Sequence, residues 1–205
     1  MHQPGVDLTR PDLNVSVAWS RSFLDHGAEK NDPNDLHGHG THVAGIIGGI
    51  DNDVGVTGIA SGATIIALKV VDRKGRGYTE DVLKAIRYVA EPRKSGERLC
   101  DVVNFSIGTA RSPTVDKAVL QASRTVPFVL SAGNRGRHVN AFSPAGVNGK
   151  QVYAVTALAR DDLWPVFSNF GQDVVDYAAP GVYVHSTWKE GGTTPSAGPP
   201  LRPLT

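Results

Sequence analysis

Residues 63–91 read "ATIIALKVVDRKGRGYTEDVLKAIRYVAE", and the period of their apolar residues changes part-way along. Ala63 to Val71 form a nearly continuous run of Ala, Ile, Leu and Val, the pattern of a strand covered on both faces. Beyond the turn-forming "DRKGRG", Val82, Ala85, Ile86 and Val89 recur at helical spacing, which predicts a helix over 78–91 with Thr79 as its N-cap. The alternation continues downstream. Residues 101–108, "DVVNFSIG", read as a strand, and 112–126 as a helix capped by Ser112 with Pro113 at its first position. Residues 127–133 and 151–158 read as two more strands. Strand, helix, strand, helix, strand predicts an α/β fold with a mostly parallel sheet, right-handed crossovers and helices on both faces. In such a sheet the chemistry gathers at the carboxyl ends of the strands. Both ends of the chain break this pattern. "MHQPGVDLTRPDL" has no strand before it, and "GGTTPSAGPPLRPLT" is too rich in Pro and Gly for regular structure.

The 205 residues are 40% hydrophobic and 20% charged, a globular composition of a length that favours one domain. Lys plus Arg (21) nearly balance Asp plus Glu (20) and no basic block occurs, which argues against nucleic acid or an anionic membrane surface as the main partner. No apolar run is long enough to span a bilayer, and no charged-then-apolar leader follows Met1. The single cysteine, Cys100, excludes an internal disulfide and a Cys-rich zinc cage; its apolar setting, "LCDVVNFS", predicts a buried structural thiol.

Residues 37–45, "HGHGTHVAG", pack three histidines among glycines where a helix begins. His37, His39 and His42 offer a metal reading, but a zinc-protease helix carries Glu directly after its first His, and here Gly40 follows His39. His37 suits a polar position at a helix start. For His39 the residues allow a sharper role. Gly38 and Gly40 leave its imidazole unobstructed, and the small residues of "THVAGIIGG" let the helix pack close to the sheet, so that a base at 39 can face a cleft.

"HGTHVAG" resembles the histidine motif of the subtilisin-like serine proteases, and further segments resemble that family in order along the chain. "RPDLNV" (10–15) is similar to the run after the catalytic aspartate, "NFSIG" (104–108) to the substrate-binding strand, "SAGN" (131–134) to the oxyanion segment, and "YAAPGVYVHST" (177–187) to the stretch before the nucleophile. The resemblance implies a three-layer subtilisin-like fold and peptide or protein substrates, with a secreted or extracellular setting. It makes His39 the general base and Asn134 the donor to the developing oxyanion. Ser106, Ile107 and Gly108 offer backbone to an extended peptide, and Ser131, Ala132 and Gly133 line the pocket for the residue before the scissile bond. "GIDNDVGV" (49–56) resembles the family's calcium loop, in which Asn52 and the carbonyls of Ile50, Val54 and Val56 join the carboxylate of Asp12. Read without the resemblance, Asn134 is a left-handed turn residue and 49–56 a solvated Asp-Asn turn.

The chain also departs from the family. Gln3, Pro4 and Gly5 stand where the family has Asp-Thr-Gly or Asp-Ser-Gly, and Asp7 lies two residues past that glycine and cannot simply replace the aspartate. The Gly-Thr-Ser nucleophile motif is absent, and neither Ser186 nor Ser196 has its surroundings. Shifted by one base, the codons of the tail permit that motif, with Pro200 where the serine codon is misread. Residues 193–205 are therefore expected to be an irregular, frameshifted tail, and 1–192 a partial peptidase domain lacking its first central strand and nucleophile helix. The expected function is that of a fragment of a serine endopeptidase, itself inactive. A catalytically silent peptide-binding module is the second reading, and a metal-binding protein using its histidines the third.

Overall fold

The computed structural model describes residues 4–25, 27–93 and 95–195. By their contacts the residues fall into two compact units, one of Ile86–Tyr183 and one drawn from His2–Ala85 and Val184–Ser196.

In the second of these, the run expected as one strand over 63–71 is interrupted. Val15 bridges Ile65, and β1 (Arg21–Ser22) pairs in parallel with β2 (Leu68–Lys69), so that only two residues of the run lie in a continuous ladder. The reason lies in the partner segment. Residues 16–20 turn, with the Ser20 N–H donating to Ser16 O at 3.1 Å, and the Ala67 N–H donates to Ser20 Oγ at 3.0 Å instead of to a strand carbonyl. A small core of Val6, Leu13, Ala44 and Ala67, flanked by Val15 and Ile65, forms beneath this arrangement. The helix α1 (His39–Gly48) supplies Ala44. The next helix, α2 (Thr79–Ala90), buries Ala85, Ile86 and Val89 as its spacing predicts. Thr79 is its first helical residue and not its cap. Tyr78 precedes the helix, and its N–H donates to Asp81 Oδ2 at 3.3 Å, the backward bond of a capping box.

The Ile86–Tyr183 unit holds the parallel sheet. Strands β3 (Val103–Phe105), β5 (Phe128–Ser131), β7 (Val152–Leu158) and β8 (Val175–Pro180) lie in that order, each pair parallel. The expected strand over 101–108 thus shortens to three residues. A two-residue ribbon of β4 (Thr109–Ala110) and β6 (Phe142–Ser143) runs antiparallel beside the main sheet's connections. Helix α3 (Pro113–Ala122) carries the crossover from β3 to β5, with Ser112 at its N-cap and Pro113 at its start. The Ser112 side chain makes no capping bond; its N–H donates to Ser143 Oγ at 2.8 Å. The later connections, 132–151 and 159–174, contain no α-helix, only the 3₁₀ turns Val139–Ala141 and Arg160–Asp162 and the short β6, so crossover helices are fewer than the alternation implies. Val115, Val119, Phe128, Leu130, Val152 and Ala154 are buried. β8 has no apolar run to announce it: its "VDYAAP" is largely exposed and ends in proline, as edge strands tolerate.

The residues after Gly192 correct the expectation of an irregular tail as far as they are described. β10 (Thr193–Pro195) pairs antiparallel with β9 (His185–Thr187), while 196–205, with Ser196 and Pro200, lie outside the described residues. Among the described residues no helix is long and apolar enough to cross a membrane.

Candidate functional site

The start of α1 is built by Asp35. Its Oδ1 accepts from the His37 and Gly38 N–H groups at 2.8 Å each, and its Oδ2 accepts from the Thr41 N–H at 2.9 Å and the Thr41 hydroxyl at 2.8 Å. One buried carboxylate thereby fixes the chain entering α1 and accepts from the Thr41 N–H, a first-turn donor that a helix leaves open. The glycines flanking His39 answer to close neighbours rather than to clearance for the imidazole. A Cβ on Gly38 would meet the Trp188 ring at 2.3 Å, and one on Gly40 the Gly5 carbonyl oxygen at 1.8 Å. His39 itself is half-buried on the first turn.

The other two histidines belong to packing. His37 and His42 lie with ring centroids 6.5 and 6.0 Å from that of Trp188. His42 Nε2 stands 3.1 Å from Val184 O and 3.2 Å from Thr194 O, where a donated N–H joins α1 to the β9–β10 ribbon. Burial holds its pKa below the ordinary 6.5, against the pull of those two carbonyls. Asp7 has both carboxylate oxygens engaged: Oδ1 accepts from the Thr9 N–H and hydroxyl, and Oδ2 from the Glu190 N–H. Burial pushes that carboxyl up, but these bonds and the Arg10 charge outweigh it and hold its pKa low. Ser186 is fully buried, and its hydroxyl donates to His42 O at 2.8 Å. Cys100 is half-buried, and burial and then Asp101 raise its pKa, which disfavours the reactive thiolate.

In the Ile86–Tyr183 unit, Ser131, Ala132, Gly133 and Asn134 follow β5 and line a pocket of about 60 Å³ together with Gly108, Arg135, Phe142, Ala145 and Asn169. The segment is held from one point. Asn169, 1% exposed, accepts at Oδ1 from the N–H groups of Arg135 (2.9 Å) and Arg137 (3.0 Å), and donates from Nδ2 to Ala132 O (2.8 Å). Its own N–H donates to Gly133 O at 3.1 Å. Asn134, between these anchors, is exposed, and its side-chain amide bonds no described residue. The backbone of Ser106, Ile107 and Gly108 continues β3 without a backbone hydrogen bond to any described residue; Ser106 is buried and its Oγ accepts from Asn104 Nδ2 at 2.9 Å.

Asp12 and the 49–58 loop are brought together. The Ile50 N–H donates to Asp12 O at 2.9 Å, and Asn52 Nδ2 to Pro11 O at 3.3 Å. Asp12 is fully buried: Oδ1 is bonded to Arg10 at 2.7 Å, but Oδ2 has no hydrogen-bond partner among the described residues. A Cβ on Gly55 would meet that oxygen at 1.9 Å. A buried carboxylate oxygen left without a donor is a ligand that fits a hard cation. Within the loop, Asn52 Oδ1 accepts from the Val54 N–H at 3.2 Å.

A model of the subtilase family matches residues 4–199. The chain belongs to the subtilase family. Among its relatives, the thermophilic serine proteinase of Bacillus sp. (strain AK1) is 39% identical over 186 residues, covering 89% of this chain and 43% of the relative. The thermostable alkaline protease of Halalkalibacterium halodurans is 36% identical over 183 residues, covering 88% and 46%. The subtilase chain thus spans less than half the length of these relatives. A cold adapted subtilisin-like serine proteinase of known structure superposes with a TM-score of 0.80 at 32% identity, over 96% of this chain and 67% of that one. The subtilisin-like fold, mixed α/β with a mostly parallel sheet, is therefore that of this chain.

Two residues of this subtilase domain escape sequence reading. Asp35 had a local signal, an acidic residue just ahead of a helix start. Asn169 had none, because the residues it holds lie 32 to 37 positions away.

Proposed function

We propose that this chain carries the peptide-binding and base-bearing part of a subtilisin-like serine endopeptidase, and that the 205 residues alone do not hydrolyse peptides. The observation that carries the reading is the Asn169-held pocket, with the exposed amide of Asn134 on its lining. An extended peptide lies along the free backbone of 106–108 as an added strand and places one side chain in the pocket. There the Asn134 amide donates to a carbonyl oxygen as it becomes anionic. The His39 imidazole takes the proton of a nucleophile and returns it to the leaving amine.

Ser186 is sealed and bonded to His42 O, and Asp7 has both oxygens occupied, so neither serves His39 as nucleophile or orienting carboxylate. This same observation favours the second reading, a silent peptide-binding module. In either case Asp12, Asn52 and the carbonyls of Ile50, Val54 and Val56 would hold a calcium ion. When bound, the ion supplies positive charge against Asp12 Oδ2 and ties the loop to 10–15.

The test is an assay of the purified chain beside His39→Ala on an unfolded protein substrate, with peptide titration in parallel. No cleavage above background is expected from either, together with peptide binding that weakens about tenfold or more in Gly108→Val. A Cβ at 108 meets nothing within 4 Å, so that substitution fills the peptide's space without a clash in the protein. Robust cleavage that disappears in His39→Ala overturns the inactive reading, and a failure to bind any peptide overturns both.

A further inference from the structure

The pocket that this reading assigns to a substrate side chain carries a charge of its own. Among its nine lining residues Arg135 alone is ionised at neutral pH. Gly108, Ala132 and Gly133 offer no polar side chain, and Asn134 and Asn169 offer neutral amides. Arg135 is exposed and has no ion-pair partner among the described residues. Several other arginines are paired: Arg10 with Asp12, Arg73 with Glu29, Arg76 with Asp72 and Arg111 with Asp116. Its backbone, by contrast, is fixed, the N–H bonded to the buried Asn169 Oδ1 at 2.9 Å. A cation is therefore anchored at its root beside the pocket, with its head group unpaired among the described residues.

From this we infer that the pocket takes an acidic side chain, Asp or Glu, in preference to its neutral isostere and to a basic one, with Arg135 as the selecting group. The inference rests on the peptide-binding reading above and narrows it to a substrate class. The physical basis is direct. A guanidinium offers a planar fork that matches both oxygens of a carboxylate, and a lysine brought to the same place meets a like charge. The small residues opposite leave room for a side chain, since about 60 Å³ is roughly four times or more the space one water needs. Because Arg135 is exposed, the gain is limited and screened by salt.

The experiment is calorimetric titration of the whole chain with capped hexapeptides, Gly-Ala-Ala-X-Ala-Gly, in which X is Glu, Gln, Lys or Leu. Glu against Gln isolates the charge, since the two are equal in size. At low salt the Glu peptide is expected to bind about three- to fivefold tighter than the Gln peptide, with Lys weaker than both. The Glu advantage should shrink in 0.5 M salt, vanish in Arg135→Gln, and give way to a Lys preference in Arg135→Glu. Equal binding of Glu and Gln by the unaltered chain, or a Glu advantage that survives Arg135→Gln, overturns the inference while leaving the peptide-binding reading in place. Absence of binding by all four peptides removes that reading and this one with it.

Discussion

Lys69 shows how much one residue can decide. It lies in an apolar run and is fully buried, its Nζ 2.7 Å from Glu29 Oε2 and 2.8 Å from Asn34 O. Burial pushes the Glu29 carboxyl up, but hydrogen bonds from Lys69 and Arg73 outweigh it and keep it ionised. Lys69→Met removes one charge and leaves the other buried with only the half-exposed Arg73. Its expected cost is about 3–5 kcal/mol. The double variant Lys69→Met/Glu29→Gln should recover part of that loss, and urea midpoints of the three proteins measure both effects. His42 sets a pH dependence. Its pKa in the folded chain is below 6.5 because burial disfavours the imidazolium, so the unfolded chain binds more protons. The stability it contributes is present above about pH 6.5 and is lost as pH falls towards the folded value. Melting temperature should fall below pH 6.5, and the fall should be shallower in His42→Gln, which keeps a donor without the titration.

At the scale of the element, α1 depends on a carboxylate outside it. The N–H groups of His37, Gly38 and Thr41 and the Thr41 hydroxyl converge on Asp35, so Asp35→Ala strips the helix entry of its acceptors in a buried setting. A loss of about 2 kcal/mol or more is expected, at the upper end for capping residues. Asp35→Asn keeps one acceptor oxygen and should lose less. Equal losses in the two variants, read from thermal melts, would contradict this role for both oxygens. The spacing of α2 foretold its buried face, whereas its cap had to be found in the structure. Thr79 has the right side chain for a cap, but the Tyr78 N–H donating to the Asp81 carboxylate starts the helix at Thr79 itself.

For the whole molecule, the sheet of the Ile86–Tyr183 unit ends at β8, whose Tyr177 is 61% exposed, with Tyr183 just beyond it at 63%. An open strand edge beside exposed aromatic surface is an association hazard. Light scattering should rise with concentration in the tens of micromolar range, and a monodisperse monomer there would contradict the expectation. Calcium should act weakly. Asp12 Oδ2 is a single buried anionic oxygen, and the rest of the proposed set is a neutral amide and carbonyls on an exposed loop. With a Kd of about 1 mM, 10 mM calcium adds about 1.4 kcal/mol and micromolar calcium almost nothing. A large rise in melting temperature at micromolar calcium would refute this, and Asp12→Asn should remove the millimolar response.

The sequence by itself determined the class of fold, the positions of α2, α3, β5 and β7, and the family, because hydrophobic period and short motifs are properties of neighbouring residues. Tertiary structure alone decided how polar groups are satisfied. Ser186 looks free in sequence, yet its hydroxyl is bonded to a carbonyl 144 residues away. The Asn169 side chain fixes a segment more than 30 residues distant, and Ser20 interrupts a strand 47 residues on. Such bonds are set by which buried donor meets which acceptor once the chain has closed on itself, and no local pattern records that meeting.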